Sequence, residues 1–508
     1  MKGTLISMTT RVRACYLVAR SRRFVFVRSC RLVLVCLLLL CPAARAQQQP
    51  ISAQTQADLS RLTGEVLVNG EAYSNLEYLS DRIGARVTGS EGERRALEWT
   101  LARFKEYGYA DAHHEPVAVP HRWTRGPAEA ALVAPVARRV DVTSYGWAVG
   151  TDGEVTAPVV PLDEISAAQF AAKAERLRGA FVNFTLASKV DYHFMAEAVR
   201  LALRHGARAI LMPAFKPDKL NNTGDLLWGE IVRLPIVSIA REDAALVERL
   251  QASGEEVRLR LNVQNRVGDG FTTANVVAEL RGAEAPDEIV LVGGHLDSWD
   301  LGTGATDNGT GAMAVLEAAR ALVKLGVRPR RTIRFALFTG EEQALYGSRA
   351  YVAAHAKELD KHVCVLIMDH GHGLVRGWEL PGRTDLVAPM REVIAPLASL
   401  NVTELVQKPS VDTDHAFFVL QGVPGLVMSQ DPKDYRTIHH AASDTFDKVD
   451  KRELLTDAAA LAATALVIAN RATRLAPRQT PAEIRRLAEE TGMDKELRPF
   501  GLYPFADR

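Results

Sequence analysis

In the C-terminal half of the chain, short apolar runs alternate with helical patterns, and this alternation constrains the fold more than any other feature. Strands are predicted at 287–293, 332–339 and 362–368, with helices at 309–325 and 343–359 between them. The apolar runs are continuous, which is typical of a sheet that helices cover on both faces. The sequence therefore predicts an α/β fold with a mostly parallel central sheet, whose ligands bind beyond the carboxyl ends of the strands.

Side chains that can bind metals or transfer protons follow these strands. Five segments at strand ends or in loops each supply His, Asp or Glu: 294–300 (GHLDSWD), 306–311 (TDNGTG), 339–343 (TGEEQ), 368–371 (MDHG) and 439–445 (HHAASDT). Taken alone, each has an ordinary explanation, such as a helix N-cap at Asp307 or a solvated first helical turn at Glu341 and Glu342. In one cleft, however, so many carboxylates would repel each other unless divalent cations or a charged ligand compensated them.

The donor types in these segments restrict the metals that would fit. A set of histidines and carboxylates without cysteine suits Zn²⁺ and, less selectively, Co²⁺ or Mn²⁺. Cys364 is the one cysteine after residue 46, and its apolar surroundings in the sequence predict a buried small hydrophobe rather than a nucleophile. The sequence therefore predicts a metal site of His, Asp and Glu at the strand ends.

In the order in which they occur, these motifs resemble those of the M28 peptidase family. The motifs are H-x-D at 295–297, D-N-G-x-G at 307–311, G-E-E-Q at 340–343, a single Asp at 369 and H-x-x-x-D-T at 440–445. The blocks at 84–90, 294–302 and 328–332 closely resemble the carboxypeptidase Q branch of the family. The resemblance extends over nearly the whole chain after residue 46. It implies the zinc exopeptidase fold, two Zn²⁺ ions per chain and a homodimer.

The resemblance also implies which residues hold the two ions. Asp307 would bridge them, and each ion would have two further ligands. His295 and Asp369 would complete one site, while Glu342 and His440 would complete the other.

Two further carboxylates have roles that the resemblance implies. Asp297 would accept a hydrogen bond from His295 and so fix the tautomer of that ligand. Glu341, which is next to a ligand without being one, would act as the general base that takes a proton from the attacking water.

Three other histidines lie close to the motifs. His440 is preferred to His439 as the ligand because the family's ligand lies four residues before the Asp of an Asp-Thr pair, which is Asp444 in this chain. His370 directly follows a predicted ligand, and His415 matches a further family segment. Neither has an assigned role, and a helix cap explains the second segment equally well.

Residues 126–262 differ from the rest of the chain in their sequence pattern. They contain short β-like runs and a helical pattern at 196–205, and they offer few candidate catalytic residues. We therefore predict a module inserted into the catalytic domain, and this module is similar to a β-rich protease-associated (PA) domain. The catalytic domain would then be discontinuous, over 47–125 and 263–508.

The first 46 residues are typical of a cleaved signal peptide. They contain nine basic residues and no acidic one, an apolar run at 32–41 and the small-residue pattern Ala44-Arg45-Ala46. An apolar run of about ten residues is too short to span a bilayer as a helix. The sequence therefore predicts export, to the periplasm or the medium, with no stable membrane insertion after cleavage.

The formal net charge of +1 gives no indication of a nucleic-acid-binding surface, and a peptide is the expected substrate. The motifs favour an exported di-zinc exopeptidase of carboxypeptidase or dipeptidase type that acts on dipeptides or short peptides. Because the motifs serve the metals rather than the ends of the substrate, an aminopeptidase of the same family stays open. A glutaminyl cyclase-like enzyme and a non-catalytic binding relative are further alternatives, although the complete ligand set disfavours the binding relative.

Overall fold

The computed structural model of the protein describes residues 51–188 and 195–505. The signal peptide predicted over 1–46 therefore lies outside the described residues. In the described part, the strands form two eight-stranded sheets and a two-stranded ribbon.

The elements below are numbered in chain order. The strands are β1 (His113–Val119), β2 (Arg122–Thr124), β3 (Ala128–Ala134), β4 (Arg138–Val140), β5 (Val142–Ser144), β6 (Val155–Leu162), β7 (Phe181–Phe184), β8 (Ala209–Pro213), β9 (Ile236–Ile239), β10 (Arg258–Val263), β11 (Arg266–Gly268), β12 (Phe271–Leu280), β13 (Ala285–His295), β14 (Arg331–Phe338), β15 (His362–Ile367), β16 (Val375–Leu380), β17 (Glu404–Gln407) and β18 (Gly425–Gln430). The α-helices are α1 (Ala53–Asn69), α2 (Ala72–Glu77), α3 (Glu91–Glu106), α4 (Ala167–Ala172), α5 (Ala174–Leu177), α6 (Met195–Arg204), α7 (Arg241–Ala252), α8 (Thr310–Lys324), α9 (Glu341–Ala344), α10 (Tyr346–Ala354), α11 (Val387–Ile394), α12 (Ala416–Val419), α13 (Tyr435–Ile438), α14 (Lys451–Asn470), α15 (Pro481–Thr491) and α16 (Met493–Leu497).

The central sheet contains the strands predicted in the C-terminal half of the chain. Its strand order is β1-β12-β14-β13-β15-β18-β16-β17. The neighbours β14, β13, β15 and β18 run parallel, with His295 opposite Phe338 and Gly293 opposite Ile367. Antiparallel pairings join β12 and β1 at one edge and β16 to β18 towards the other. The predicted α/β fold is thus confirmed, with a parallel centre and antiparallel pairings nearer the edges.

Helices cover both faces of the central sheet, as its continuous apolar strands predict. On one face, Val290 and Val292 belong to the main core, together with residues of α1, α8 and α14. On the other face, Leu291 packs in a cluster with Tyr351 of α10 and Phe418 of α12. Because consecutive strand residues point to opposite faces, the burial of all three β13 residues requires both helical layers.

Helix α14 has 20 residues and is long and apolar enough to cross a membrane, judged by length and composition alone. In the structure, however, 83% of its apolar window is buried inside the protein. The helix begins after Asp450, whose side chain accepts hydrogen bonds from the N–H groups of Arg452 and Glu453. Its apolar character is therefore accounted for by packing in the main core.

The second eight-stranded sheet has the order β4-β3-β10-β6-β7-β8-β9-β5. Strands β6 to β9 run parallel in its centre, and α6 and α7 pack against them in two separate apolar cores. All of its strands lie between residues 128 and 263, close to the limits predicted for the inserted module. The sheet is a mixed α/β arrangement rather than a purely β-rich one. The division of the chain into domains stays a prediction.

The helix predicted at 343–359 is interrupted, and the prediction is wrong in this detail. The structure has two short helices, α9 and α10, separated by Leu345 in the left-handed conformation (φ +53°). The next N–H donates a 2.9 Å hydrogen bond to the carbonyl of Gly340, which ties the chain back to the end of β14. A side chain at Gly347 would lie 2.5 Å from the carbonyl oxygen of Thr339, so this return requires glycine. The return of the chain to the end of β14 fixes the position of the short helix α9, which carries two predicted site residues.

Candidate metal centre

The five residues predicted as metal ligands lie together beyond the carboxyl ends of the central strands. They come from five segments: His295 ends β13, Asp307 lies just before α8, Glu342 is in α9 after β14, Asp369 follows β15, and His440 follows α13. Parallel strands place their carboxyl ends at one edge of the sheet, which explains why segments so distant in sequence meet.

The first group of donors surrounds the ring nitrogen Nε2 of His295. This atom lies 3.0 Å from Oδ1 of Asp369 and 3.2 Å from Oδ1 of Asp307. The histidine side chain is 1% exposed, so the three groups meet in the protein interior. These are the residues predicted to complete one metal site together with the bridging aspartate.

The second group of donors surrounds Nε2 of His440. This atom lies 2.9 Å from Oε2 of Glu342 and 3.2 Å from Oδ2 of Asp307. Asp307 therefore presents one carboxylate oxygen to each group, which is the arrangement a bridging ligand needs. Sequence reasoning missed the approach of His439, whose Nε2 lies 3.4 Å from the same Oδ2 and whose ring stacks on that of His440 at 3.7 Å.

The carboxylate of Asp297 lies directly behind the first group. It accepts hydrogen bonds from the N–H groups of Glu341 (3.2 Å) and Glu342 (3.4 Å) and from the hydroxyl of Thr88 (3.1 Å). The Nδ1 atom of His295 lies 3.1 Å from the backbone oxygen of Asp297 and 3.5 Å from its Oδ1. The hydrogen bond of Nδ1 thus involves the backbone carbonyl, while the carboxylate lies at ion-pair distance, and the role of Asp297 in fixing the tautomer stays a prediction.

Further hydrogen bonds hold the ligand loops in place. Asp444 accepts hydrogen bonds from the N–H of Thr306 at 2.7 Å and from the N–H of Asp307 at 3.2 Å. The hydroxyl of Thr413 donates to Oδ2 of Asp369. The motif residue after Asp307, Asn308, donates to the carbonyl of Met368 at 2.8 Å, which joins the loop before α8 to the end of β15.

Arg86 is a buried cation beside the centre, and sequence reasoning did not single it out. Its side chain is fully buried and donates to the carbonyl oxygens of Gly84 (3.0 Å), Leu296 (2.6 Å), Thr303 (2.7 Å) and Gly304 (2.7 Å). Burial lowers the pKa of this guanidinium to about 10, whereas nearby carboxylates act to raise it. The signal in the sequence is its place in the block at 84–90, which resembles the carboxypeptidase Q branch.

Arg86→Met is expected to lower the free energy of unfolding by about 3–5 kcal/mol. Four buried carbonyl oxygens would lose their hydrogen-bond donor, and the carboxylates of the centre would lose a nearby positive charge. Urea unfolding at a fixed zinc concentration would measure this loss. Arg82→Met, which removes an exposed arginine from the same region, should change the free energy by no more than about 0.5 kcal/mol. Equal effects of the two substitutions would contradict the structural role of Arg86.

The centre holds more carboxylates than cationic side chains, and their pKa values reflect this. Burial, with the charge of Asp307 added, raises the pKa of Glu342 to about 7. Burial also raises the pKa of Glu341 well above its usual range, and the negative charge of Asp369 acts in the same direction. Burial raises the pKa of Asp444 to about 6. Without a cation these groups hold a proton more strongly than usual, and a divalent ion would displace such protons.

The donor set fits a divalent metal ion. The ligand atoms of two groups each lie within 4.8 Å of one another: His295, Asp307 and Asp369 in one group, and Asp307, His439 and His440 in the other. The buried Oε1 of Glu342 has no hydrogen-bond partner among the described residues, which leaves it available for a ligand. Imidazole and carboxylate donors without sulfur are ones that zinc accepts.

The two histidines without an assigned role have their own partners, although His370 also lines the cleft described below. His370 lies with Nδ1 3.5 Å from Oε2 of Glu379 and Nε2 4.0 Å from Oδ2 of Asp412. His415 is buried, with Nε2 3.0 Å from the carbonyl oxygen of Ser410. Its neighbour Asp414 is also buried, and burial raises the pKa of this carboxyl to about 8. Both histidines thus have protein partners outside the proposed ligand set.

An open cleft of about 430 Å³ lies over the centre. Glu341 and the proposed ligands Asp307, Glu342, Asp369 and His440 all line it. Asp225 and Trp228, from the segment between β8 and β9, and Glu496 of α16 also contribute to its wall. The cleft therefore places a bound molecule against both groups of donors.

The sequence model of peptidase family M28 matches residues 275–465, the region that contains every predicted ligand. Carboxypeptidase Q of Rattus norvegicus is 31% identical over 407 residues, which cover 78% of this chain and 85% of the rat protein. The chain belongs to peptidase family M28. This M28 metallopeptidase is also 30% identical to carboxypeptidase Q of Homo sapiens over 425 residues, which cover 81% of this chain and 89% of the human protein.

Solved structures support the same assignment of the fold. An M28 peptidase precursor from Shewanella amazonensis has a TM-score of 0.77 and 29% identity, covering 84% of this chain and 99% of its own. A zinc aminopeptidase from Bacillus subtilis has a TM-score of 0.64 and 21% identity, covering 80% of this chain and 97% of its own. The M28 peptidase described here therefore has the fold of these peptidases over most of its length.

Proposed function

We propose that this M28 peptidase is an exported co-catalytic di-zinc exopeptidase of carboxypeptidase or dipeptidase type. Its substrates would be dipeptides or short peptides. The observation that carries the proposal is Asp307, whose two carboxylate oxygens face two separate donor groups at 3.2 Å each. A carboxylate between two cations reduces their mutual repulsion, which a site for one ion would not require.

Each of the two ions would be held by three residues. His295, Asp307 and Asp369 would hold one, and Asp307, Glu342 and His440 the other, with Co²⁺ or Mn²⁺ as substitutes for Zn²⁺. When bound, the metals supply Lewis acidity towards a peptide carbonyl and a water molecule. The stacked contact of His439 with His440 supports the orientation of that ligand and does not require His439 to bind metal itself.

Glu341 is the proposed general base. Its carboxylate lines the cleft, with Oε2 3.9 Å from Nε2 of His295, and its N–H is held by Asp297. In this role it takes a proton from the attacking water and delivers it to the leaving amine. The raised pKa of Glu341 makes its carboxylate a stronger base, which favours the uptake of the proton from water.

The size of the cleft and the side chains in its wall favour a short substrate. The cleft volume of about 430 Å³ is small, and Trp228 and Glu496 form part of the wall beyond the donor groups. The ring of Trp228 packs at 5.8 Å from that of Phe500, so the segment between β8 and β9 meets the C-terminal region at this wall. A long polypeptide would have to pass these side chains, whereas a dipeptide would not.

The charge of the cleft favours a second candidate, an aminopeptidase of the same family. Beyond the proposed ligands and base, its wall carries the carboxyl groups of Asp225, Asp412 and Glu496, and no lysine or arginine is among the described residues that line it. Carboxylates recognise the ammonium group at the amino end of a peptide, whereas a free carboxylate end would be better matched by a cation. Similarity to aminopeptidases gives this candidate further support.

Matched dipeptides would decide between the two candidates. If the enzyme is of carboxypeptidase or dipeptidase type, amidation of the carboxyl end should lower kcat/KM by about tenfold or more, because recognition of the free carboxylate is lost. The aminopeptidase candidate requires instead that acetylation of the amino end cause the loss. Initial rates on the free, amidated and acetylated forms of one sequence provide the measurement. A substrate that is cleaved equally fast in all three forms would contradict both candidates.

The remaining parts of the proposal concern location and partners. We propose that the leader over 1–46 directs export to the periplasm or the medium and leaves no stable membrane anchor after cleavage. The homodimer stays a prediction from the family resemblance. A peptide is the proposed partner of the cleft, and no nucleic acid is expected to bind.

A further inference from the structure

The segment between β8 and β9 contacts the loop that carries His440. Lys216 donates a hydrogen bond from Nζ to the carbonyl oxygen of His439. The N–H of Thr223 donates to the carbonyl oxygen of His440 at 3.0 Å, and Asn222 forms an isolated β-bridge with Ala441. Three consecutive residues of the ligand loop are thus held by a segment that lies inside the predicted inserted module.

The backbone of His440 is in a conformation that needs such support. Its φ is +57°, in the left-handed region that residues with a side chain rarely adopt. Such a conformation persists only where the surrounding structure determines it. The contacts from Lys216 and Thr223 act on the carbonyl oxygens on either side of the residue, so they determine the direction in which its imidazole points.

The position of Lys216 suits this role. Only 1% of its surface is exposed, although lysine is rarely buried, and it is not among the residues that line the cleft. Burial lowers the pKa of its ammonium group to about 8, while the negative charges of Asp307 and Asp444 act to raise it. The hydrogen bond to the carbonyl oxygen of His439 compensates this buried ammonium group for part of its lost hydration.

We propose that Lys216 is a positioning residue for the second metal site. Its hydrogen bond to the His439 carbonyl fixes the loop so that Nε2 of His440 faces Glu342 and Asp307. The inference rests on the proposed two-metal function and extends it, because the region between β8 and β9 then supports a centre whose proposed ligands all lie outside that region, beyond the carboxyl edge of the central sheet. In this role, a lysine outside the region that matches the M28 family model strengthens the binding of one of the two metal ions.

The test is the zinc affinity of purified full-length variants, measured by competition with a chromogenic chelator. Lys216→Met removes the donor while keeping the length of the side chain. We expect it to weaken the binding of one of the two zinc ions by about tenfold or more, as is usual when a group that orients a ligand is lost. Lys216→Arg, which keeps a cationic donor, should lose less. The matched control is Lys219→Met, from the same segment, which pairs with Asp141 at 2.7 Å and is half exposed.

A second readout does not depend on activity. The visible absorption spectrum of the cobalt-loaded protein reports the geometry of the ligands, and it should change in Lys216→Met but not in Lys219→Met. If circular dichroism shows that Lys216→Met does not fold, Lys216→Gln takes its place, because its amide is polar but too short to reach the carbonyl. Parent-like affinity for both ions, together with an unchanged cobalt spectrum, would overturn the inference. A parent protein that binds no zinc would instead overturn the proposed function, and the inference with it.

Discussion

Removal of divalent metal with a strong chelator is expected to lower peptidase activity by at least about 10³-fold, and added Zn²⁺ or Co²⁺ to restore it. The reason is that the centre is built from His295, Asp307, Glu342, Asp369 and His440, which supply metal donors but no nucleophile. Lewis acidity towards the carbonyl and the water contributes several kcal/mol to such reactions, which corresponds to a loss of this size. Dipeptide hydrolysis before and after dialysis, with metal analysis of the same samples, gives the measurement.

Two controls make this experiment specific. Addition of Ca²⁺ should not restore the rate, because calcium prefers six to eight oxygen ligands and this centre includes histidines. Circular dichroism should show that the chelated protein is still folded, so that loss of activity is not loss of structure. Full activity in an excess of chelator would exclude the proposed metal chemistry, and restoration at one zinc ion per chain rather than two would contradict the bridging role of Asp307.

Glu341→Gln is expected to lower kcat by about 10²–10⁴-fold while both metals remain bound. Glutamine keeps the shape of the side chain and leaves the N–H bond to Asp297 in place, but it cannot accept a proton from water. The expected loss is the usual contribution of a general base. Since Glu341 is not among the proposed ligands, the zinc content measured on the same preparation should equal that of the parent protein.

The matched control for this substitution is Glu91→Gln. Like Glu341, Glu91 lies in the first turn of an α-helix, but its side chain is exposed and pairs with Arg94. Its replacement should leave kcat unchanged. A Glu341→Gln enzyme with parental turnover would refute the assigned base. A variant that lost both turnover and zinc would show that Glu341 helps to hold the metal instead.

The main part of the centre could be predicted from the sequence because it follows from sheet geometry. Continuous apolar strands predict a parallel sheet, and a parallel sheet brings the residues after each strand to one edge. His295, Glu342 and Asp369 follow three neighbouring strands, so their convergence needed no knowledge of the loops. The family resemblance then added Asp307 and His440, whose places depend on loops that no periodicity predicts.

The supporting residues could not be predicted in this way, since their roles depend on contacts between segments far apart in sequence. Arg86 bonds to four carbonyl oxygens, and Lys216 reaches His439 from more than 200 positions away. Neither residue belongs to a recognisable pattern of spacing or amphipathicity. Similarly, the break at Leu345 arises from a hydrogen bond back to the end of β14, a tertiary constraint that overrides local helix propensity.

The pairing of β1 with β12 has a consequence for the order in which the chain folds. These neighbours in the central sheet are separated by about 150 residues, and closing so long a loop costs conformational entropy before any contact repays it. The ribbon of β2 and β11 lies next to both strands in the chain and brings the two ends of the intervening region side by side. If that region folds first, the loop is already closed when β12 arrives. The outer edge of the catalytic sheet is therefore expected to form late, after a part of the molecule that contains none of its proposed metal ligands.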